Sequence, residues 1–182
     1  MATVNTSSLT SLNFAYSVFV PPNHHFTPHT HAYHELVLAQ RGQMRSVTVD
    51  KEYTVRLGDV IIYPAGTVHE EWIENNKPML TWTCAFSWNG LQQDHVVYCR
   101  DSRGRIQELI AWLAWEYHEH GPATEDGCAI LRTILAEIKR LDAGSKFDAA
   151  FRGERVPTLR ELIDLVKAGG NPQFRLNLEI KF

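Results

Sequence analysis

Over its first hundred residues the chain alternates apolar and polar positions in short runs. FAYSVFV, ELVLAQ, QMRSVTV, EYTVRL, VIIYP, TVHEEWI and PMLTWTCAFSW follow one another. Breaks separate them at Pro21-Pro22, Arg41-Gly42, Asp50-Lys51, Gly58-Asp59, Gly66 and Asn89-Gly90. Runs of this length, rich in Val, Ile, Thr, Tyr and Trp, predict an antiparallel sandwich or barrel. In TWTCAFSW, Trp82, Cys84, Phe86 and Trp88 fall on one face and Thr81, Thr83, Ala85 and Ser87 on the other. The bulky face is expected to be core.

The period then changes. Ile106, Leu109, Ile110, Leu113 and Tyr117 form a helical stripe within residues 102–120, which Gly121-Pro122 ends. Thr124 is placed to cap a second helix with Ile130, Leu131, Ile134, Leu135, Ile138 and Leu141 as its apolar face. Three regions are therefore expected: a β-barrel over 1–100, a helical hairpin over 101–142, and a short α/β tail over 143–182. In the tail, TLRELIDLVKAG reads as a helix capped by Thr158, and RLNLEIKF as a strand. The Ser/Thr-rich first dozen residues read as loose.

Composition excludes several classes of function. The chain has 182 residues, 44% hydrophobic and 21% charged, with a formal net charge of −3. No Lys/Arg run exceeds two residues, so the chain lacks the basic stripe expected of a nucleic-acid interface. No segment reaches the roughly 18 apolar residues of a membrane span, and the start lacks the pattern of a secretory signal. Cys84, Cys99 and Cys128 are odd in number and in no CxxC pair, which reads as free thiols. A cytoplasmic protein that binds neither membrane nor nucleic acid is expected.

The chemistry concentrates in two stretches, HTHAYHELVLAQRG (29–42) and GDVIIYPAGTVH (58–69). His29 and His31 share a face of an extended strand, and a turn at 64–66 is able to return His69 beside them. Imidazoles and a carboxylate bind Fe, Mn, Ni, Cu or Zn. Four residues of straight strand span roughly 13 Å, so Glu35 can join only if the chain bends after His31. Tyr33 and His34 lie in that bend and are candidates to line a ligand site there. His24 and His25 read as polar loop residues that could rim a pocket, and Tyr63, Trp72 and Trp82 as aromatics lining an effector site or filling core.

These two stretches resemble the paired motifs of the cupin superfamily. His-x-His, three residues, Glu, six residues and Gly is met by His29, His31, Glu35 and Gly42. Gly, five residues, Pro-x-Gly, two residues and His is met by Gly58, Pro64, Gly66 and His69. The Asn that often follows is replaced by EEWI. The resemblance covers roughly residues 14–98 and implies a jelly-roll barrel with His29, His31, Glu35 and His69 as ligands of a divalent transition metal.

AYHEL and the helical pair after the barrel look most like the N-terminal sensing and dimerisation domain of AraC-type transcription regulators. That resemblance implies a small-molecule effector and a homodimer; the DNA-binding module such regulators add has no counterpart here. Residues 134–182 resemble an internal stretch of the glycerophosphodiester phosphodiesterase family, with Glu179 at a metal-site position and Lys181 at its neighbour. The rest of that family's catalytic set is missing, so no phosphodiesterase activity is expected. The juxtaposition reads as a chimera or truncation joined near ILAEIKRL. Two functions compete: a ligand-sensing, dimerising module, and a metal-dependent cupin enzyme (an oxygenase or isomerase).

Overall fold

The computed structural model describes residues 9–88, 95–122 and 124–141. Expectations for the chain before residue 9 and for the tail after residue 141, Glu179 and Lys181 included, lie outside the described residues. Among the described residues nine strands precede two helices. The strands are β1 (Leu9–Val20), β2 (His25–His29), β3 (His34–Arg41), β4 (Gln43–Thr48), β5 (Glu52–Arg56), β6 (Asp59–Tyr63), β7 (His69–Ile73), β8 (Met79–Trp88) and β9 (Val97–Arg100). The helices are α1 (Arg105–His120) and α2 (Glu125–Leu141).

All pairings are antiparallel. They build a five-stranded sheet, β1-β8-β3-β6-β9, and a four-stranded sheet, β2-β7-β4-β5. At β6 the five-stranded sheet is buried on both faces, which explains why VIIY reads as an unbroken apolar run. Leu36, Leu38, Val60, Ile62, Cys84 and Phe86 point outward to the helices, where they meet Ile106, Ile110, Leu113, Leu131 and Ile134. Val37, Ala39, Ile61, Tyr63 and Met79 point inward, toward Met44, Tyr53, Val55 and Ile73 of the four-stranded sheet.

The bulky face of β8 is thus core, as its pattern anticipates, but it is core between sheet and helices. The opposite face, with Thr81 and Thr83, lies inside the barrel. Its short side chains leave space there.

Both helical stripes are buried as their periods require, with Leu109, Tyr117 and Leu141 packed at the margin. Thr124 caps α2, its Oγ1 accepting the Gly127 N–H at 2.9 Å. Helix α1 starts at Arg105 rather than 102 because Gly104 takes a left-handed conformation (φ 70°). Asp101 Oδ2 caps it instead, accepting the Gln107 N–H at 2.9 Å. Most of a helix's stability in a protein comes from packing its amphipathic face, and each buried Leu or Ile contributes about 1.5–3 kcal/mol through burial. The hairpin therefore owes its order to the sheet beneath it.

Candidate functional site

The site forms where the chain crosses between sheets. β2 belongs to one sheet and β3 to the other, and the residues between them, 30–33, are outside any strand. The required bend after His31 is this crossing. It brings Glu35 Oε2 to 3.3 Å from His31 Nε2. The turn carrying Gly66 is stitched to the same corner, the Gly66 N–H donating to the His31 carbonyl at 2.8 Å. From that turn β7 runs beside β2, and His69 lies directly across from His29.

One ring nitrogen from each of His29, His31 and His69 lies within 4.8 Å of the other two. Two of these rings have a fixed orientation. Nδ1 of His29 is 2.8 Å from the Thr27 carbonyl and Nδ1 of His69 is 3.0 Å from the Thr67 carbonyl. A carbonyl only accepts, so each Nδ1 is the donor, and in the neutral ring Nε2 keeps its lone pair. Nε2 of His69 is buried without a hydrogen-bond partner. Glu35 Oε2, at 3.5 Å, is within ion-pair range of it but makes no hydrogen bond. An orphaned imidazole nitrogen beside two further imidazoles and a carboxylate fits a transition-metal ion.

Burial lowers the pKa of His31, with Glu35 partly opposing it. Burial acts the same way on His69. There, however, Glu35, the Thr67 carbonyl and Glu71 outweigh it and raise the value.

A cavity of about 560 Å³ opens beside the cluster. The strands β1, β2, β7 and β8 give it Phe14, Tyr16, Phe26, Glu71, Thr81 and Thr83, alongside His29, His31, Tyr33 and Glu35. Tyr33 stacks on His31 with centroids 4.8 Å apart, and Phe14 meets it edge-on at 5.7 Å. Of the expected effector-lining residues, only Tyr33 faces this space. Tyr63 lies beneath His69, fully buried. Trp72 stands on the outer face of β7, between the His25 ring at 4.6 Å and the Arg45 guanidinium at 3.9 Å. Trp82 packs toward the helices. His34 turns away, its Nδ1 accepting the Ala65 N–H at 3.2 Å. His25 does rim the cavity.

Glu71, Thr81, Thr83, Phe14 and Tyr16 went unremarked as site residues in the sequence, although alternation could have found the first. Glu71 is two residues after His69 on one strand, so it shares the inward face, and a carboxylate there is unusual. It is buried. Its Oε1 accepts the Tyr63 hydroxyl at 2.7 Å, and the same hydroxyl lies 2.7 Å from Ser46 Oγ. A phenol has one hydrogen, so with Tyr63 donating to Glu71 the Ser46 hydroxyl donates to Tyr63. Burial raises the Glu71 pKa, and the Tyr63 hydrogen bond opposes that rise.

A two-sheet antiparallel sandwich with ligand-type residues at the crossing between its sheets is a cupin-like barrel. The chain belongs to the AraC-like ligand binding domain family, whose sequence model matches residues 13–151. Among solved structures it is similar to a cupin 2 conserved barrel domain protein from Salinispora arenicola, with 19% identity over 40% of this chain and 61% of that one (TM-score 0.37). It is also similar to the Cnp3 cupin domain of Schizosaccharomyces pombe, with 11% identity over 40% of this chain and 51% of that one (TM-score 0.39). A stretch of 47 residues is 53% identical to a glycerophosphodiester phosphodiesterase of Caldanaerobacter subterraneus, covering 26% of this chain and 18% of that protein. Among the described residues no helix is long and apolar enough to cross a membrane.

Proposed function

We propose that this barrel is a small-molecule-sensing, dimerising module in which His29, His31, Glu35 and His69 hold a divalent transition metal (Zn, Fe, Mn, Ni or Cu) at the edge of the effector cavity. The observation that carries the reading is the cavity's position between the His/Glu cluster and β1. Phe14 and Tyr16 of β1 line the cavity, whereas Leu12 and Ala15 of the same strand pack against the helices. An effector that shifts β1 therefore acts on α1 and α2 directly, which is the physical link a sensor needs. The metal, when bound, supplies a Lewis-acidic centre with open positions for a ligand's donor atom. The protein's own groups orient the ligand and exclude water.

Dimerisation is assigned to a second copy of this chain meeting α1, which leaves Trp112 and Trp115 more than half exposed one turn apart. Two exposed indoles on a hairpin whose other large apolar side chains are buried or partly buried suit a self-complementary patch.

The test is elemental analysis of the purified protein combined with sedimentation velocity. Near-stoichiometric metal, lost in His31→Ala and His69→Ala, together with a dimer that Trp112→Ser/Trp115→Ser dissociates, is the expected result. Metal-free protein after reconstitution removes the metal from the reading, and a monomer removes the dimer. The competing reading, a metal-dependent cupin enzyme, draws support from the complete ligand set. Turnover of any substrate that vanished in His31→Ala would establish it in place of the sensor.

A further inference from the structure

Beyond the histidines, the cavity holds a buried carboxylate. Glu71 is 9% exposed and lines the cavity wall. Oε1 takes the Tyr63 hydroxyl, which leaves Oε2 as the carboxylate's second acceptor. A carboxylate accepts through both oxygens, so Glu71 keeps capacity for a ligand's donor where it lines the cavity. Around it the lining supplies a second carboxylate, Glu35, and the Thr81–Thr83 hydroxyl pair, whose oxygens are 3.1 Å apart. Among the described residues lining the cavity there is no lysine or arginine. The remaining wall is apolar and aromatic, with Phe14 and Tyr16 stacked at 4.7 Å on the open side.

We propose that the cavity recognises a small organic ammonium ion, with Glu71 Oε2 accepting an N–H and the aromatic wall packing the ligand's apolar body. The inference rests on the ligand-sensing reading of the same cavity and names its ligand class. Electrostatics and hydrogen-bond inventory both point this way. At Glu71 itself a free anion would lie against a carboxylate with no lysine or arginine lining the cavity to offset it, and attraction of an anion to a metal held by Glu35 and the histidines is the alternative that the acid probe tests. A neutral alcohol offers one ordinary hydrogen bond, whereas an ammonium group offers a charge-assisted one, roughly twice as strong. An ammonium group also has three hydrogens, enough to reach a threonine oxygen as well as Glu71.

Three probes separate these possibilities because they share one aryl body and differ only at the end group: 2-phenylethylamine, 2-phenylethanol and phenylacetate. Each is titrated calorimetrically into the full chain, with metal content measured on the same sample. The amine is expected to bind at least about tenfold more tightly than the other two. Glu71→Gln keeps an oxygen for the Tyr63 hydroxyl but replaces Oε2 with an NH2 donor. It is expected to abolish the preference while leaving metal content and the thermal midpoint in place. The proposal is overturned if the alcohol or the acid binds as well as the amine. It is equally overturned if none binds up to about 10 mM, or if the preference survives in Glu71→Gln. The two readings fail separately. Loss of the amine preference with metal retained removes this ligand class alone, while absence of metal with the preference intact removes only the metal from the sensing reading.

Discussion

Tyr63 lies flat against His69, the ring centroids 3.9 Å apart and the planes within 5° of parallel. The phenol thus forms the floor on which one ligand-type histidine rests, while its hydroxyl joins Ser46 to Glu71. Tyr63→Phe keeps the stack and removes the hydroxyl, leaving two buried polar groups short of a partner. The expected loss is about 1–3 kcal/mol of stability, measured by urea unfolding, with metal content unchanged. An unchanged urea midpoint would show that the Ser46–Tyr63–Glu71 chain contributes nothing to the fold.

Removing the metal should cost stability in proportion to how tightly the corner holds it. A ligand present at about a hundredfold excess over its Kd stabilises by about 2.7 kcal/mol, worth roughly 5–10 °C in a domain of this size. Chelation of metal-loaded protein is therefore expected to lower Tm by several degrees, and metal return to restore it. In His69→Ala the Tm should ignore both treatments, because the substitution removes the orphaned Nε2. Tm values that respond equally in the two proteins would place the ion elsewhere.

The sequence reported the site better than the strands that build it. The spacing of His29, His31, Glu35, Gly42, Gly58, Pro64, Gly66 and His69 is a local property, fixed by a corner and two turns, so it survives being read in one dimension. The bend between His31 and Glu35 was legible for the same reason, since a straight strand cannot deliver both. By contrast β2 is not legible, because HFTPH is short, largely exposed and contains Pro28. Nor is β9, because four residues carry too little pattern. The aromatic residues failed for another reason. Whether Trp72 or Trp82 faces a cavity depends on which side of a strand is inside, and a strand that has apolar groups on both faces does not announce it. Trp82 faces the helices, and the small Thr81 and Thr83 face the cavity. Composition favours the tryptophan, whereas open space requires the threonines.

At alkaline pH the second polar network should become the weak point. The single Tyr98 hydroxyl proton lies between two acceptors, Asp59 Oδ2 at 2.8 Å and the Thr54 carbonyl at 2.9 Å. Burial, and then the Asp59 carboxylate, hold its pKa well above the usual tyrosine range. The unfolded chain loses this proton near pH 10, whereas the folded chain keeps it. The stability it contributes is therefore complete below about pH 10 and falls as pH rises toward the folded value. Urea midpoints at about pH 8.5 and about pH 11 should drop less in Tyr98→Phe than in the parent, although the variant starts lower for want of the hydroxyl's hydrogen bond. Equal slopes would mean that other groups set the alkaline limit.

Two motif glycines have the same conformation for different reasons, and substitution separates them. Gly42 and Gly66 both have positive φ, 89° and 83°. A Cβ on Gly66 would meet nothing within 4 Å, so Gly66→Ala carries only the left-handed penalty of about 1–2 kcal/mol. A Cβ on Gly42 would lie 2.5 Å from the Pro78 carbonyl oxygen and 3.0 Å from Met79 Cα. Backbone cannot rotate aside as a side chain can, and Met79 belongs to the inter-sheet core. Gly42→Ala must therefore push the start of β8 away from the turn between β3 and β4, adding an overpacking cost of about 1–3 kcal/mol to the conformational one. Guanidinium unfolding is expected to rank Gly42→Ala well below Gly66→Ala, with a similar m-value for both. The converse order would mean that the Gly66 turn, tied to the His31 carbonyl, bears more on the fold than the close approach at Pro78.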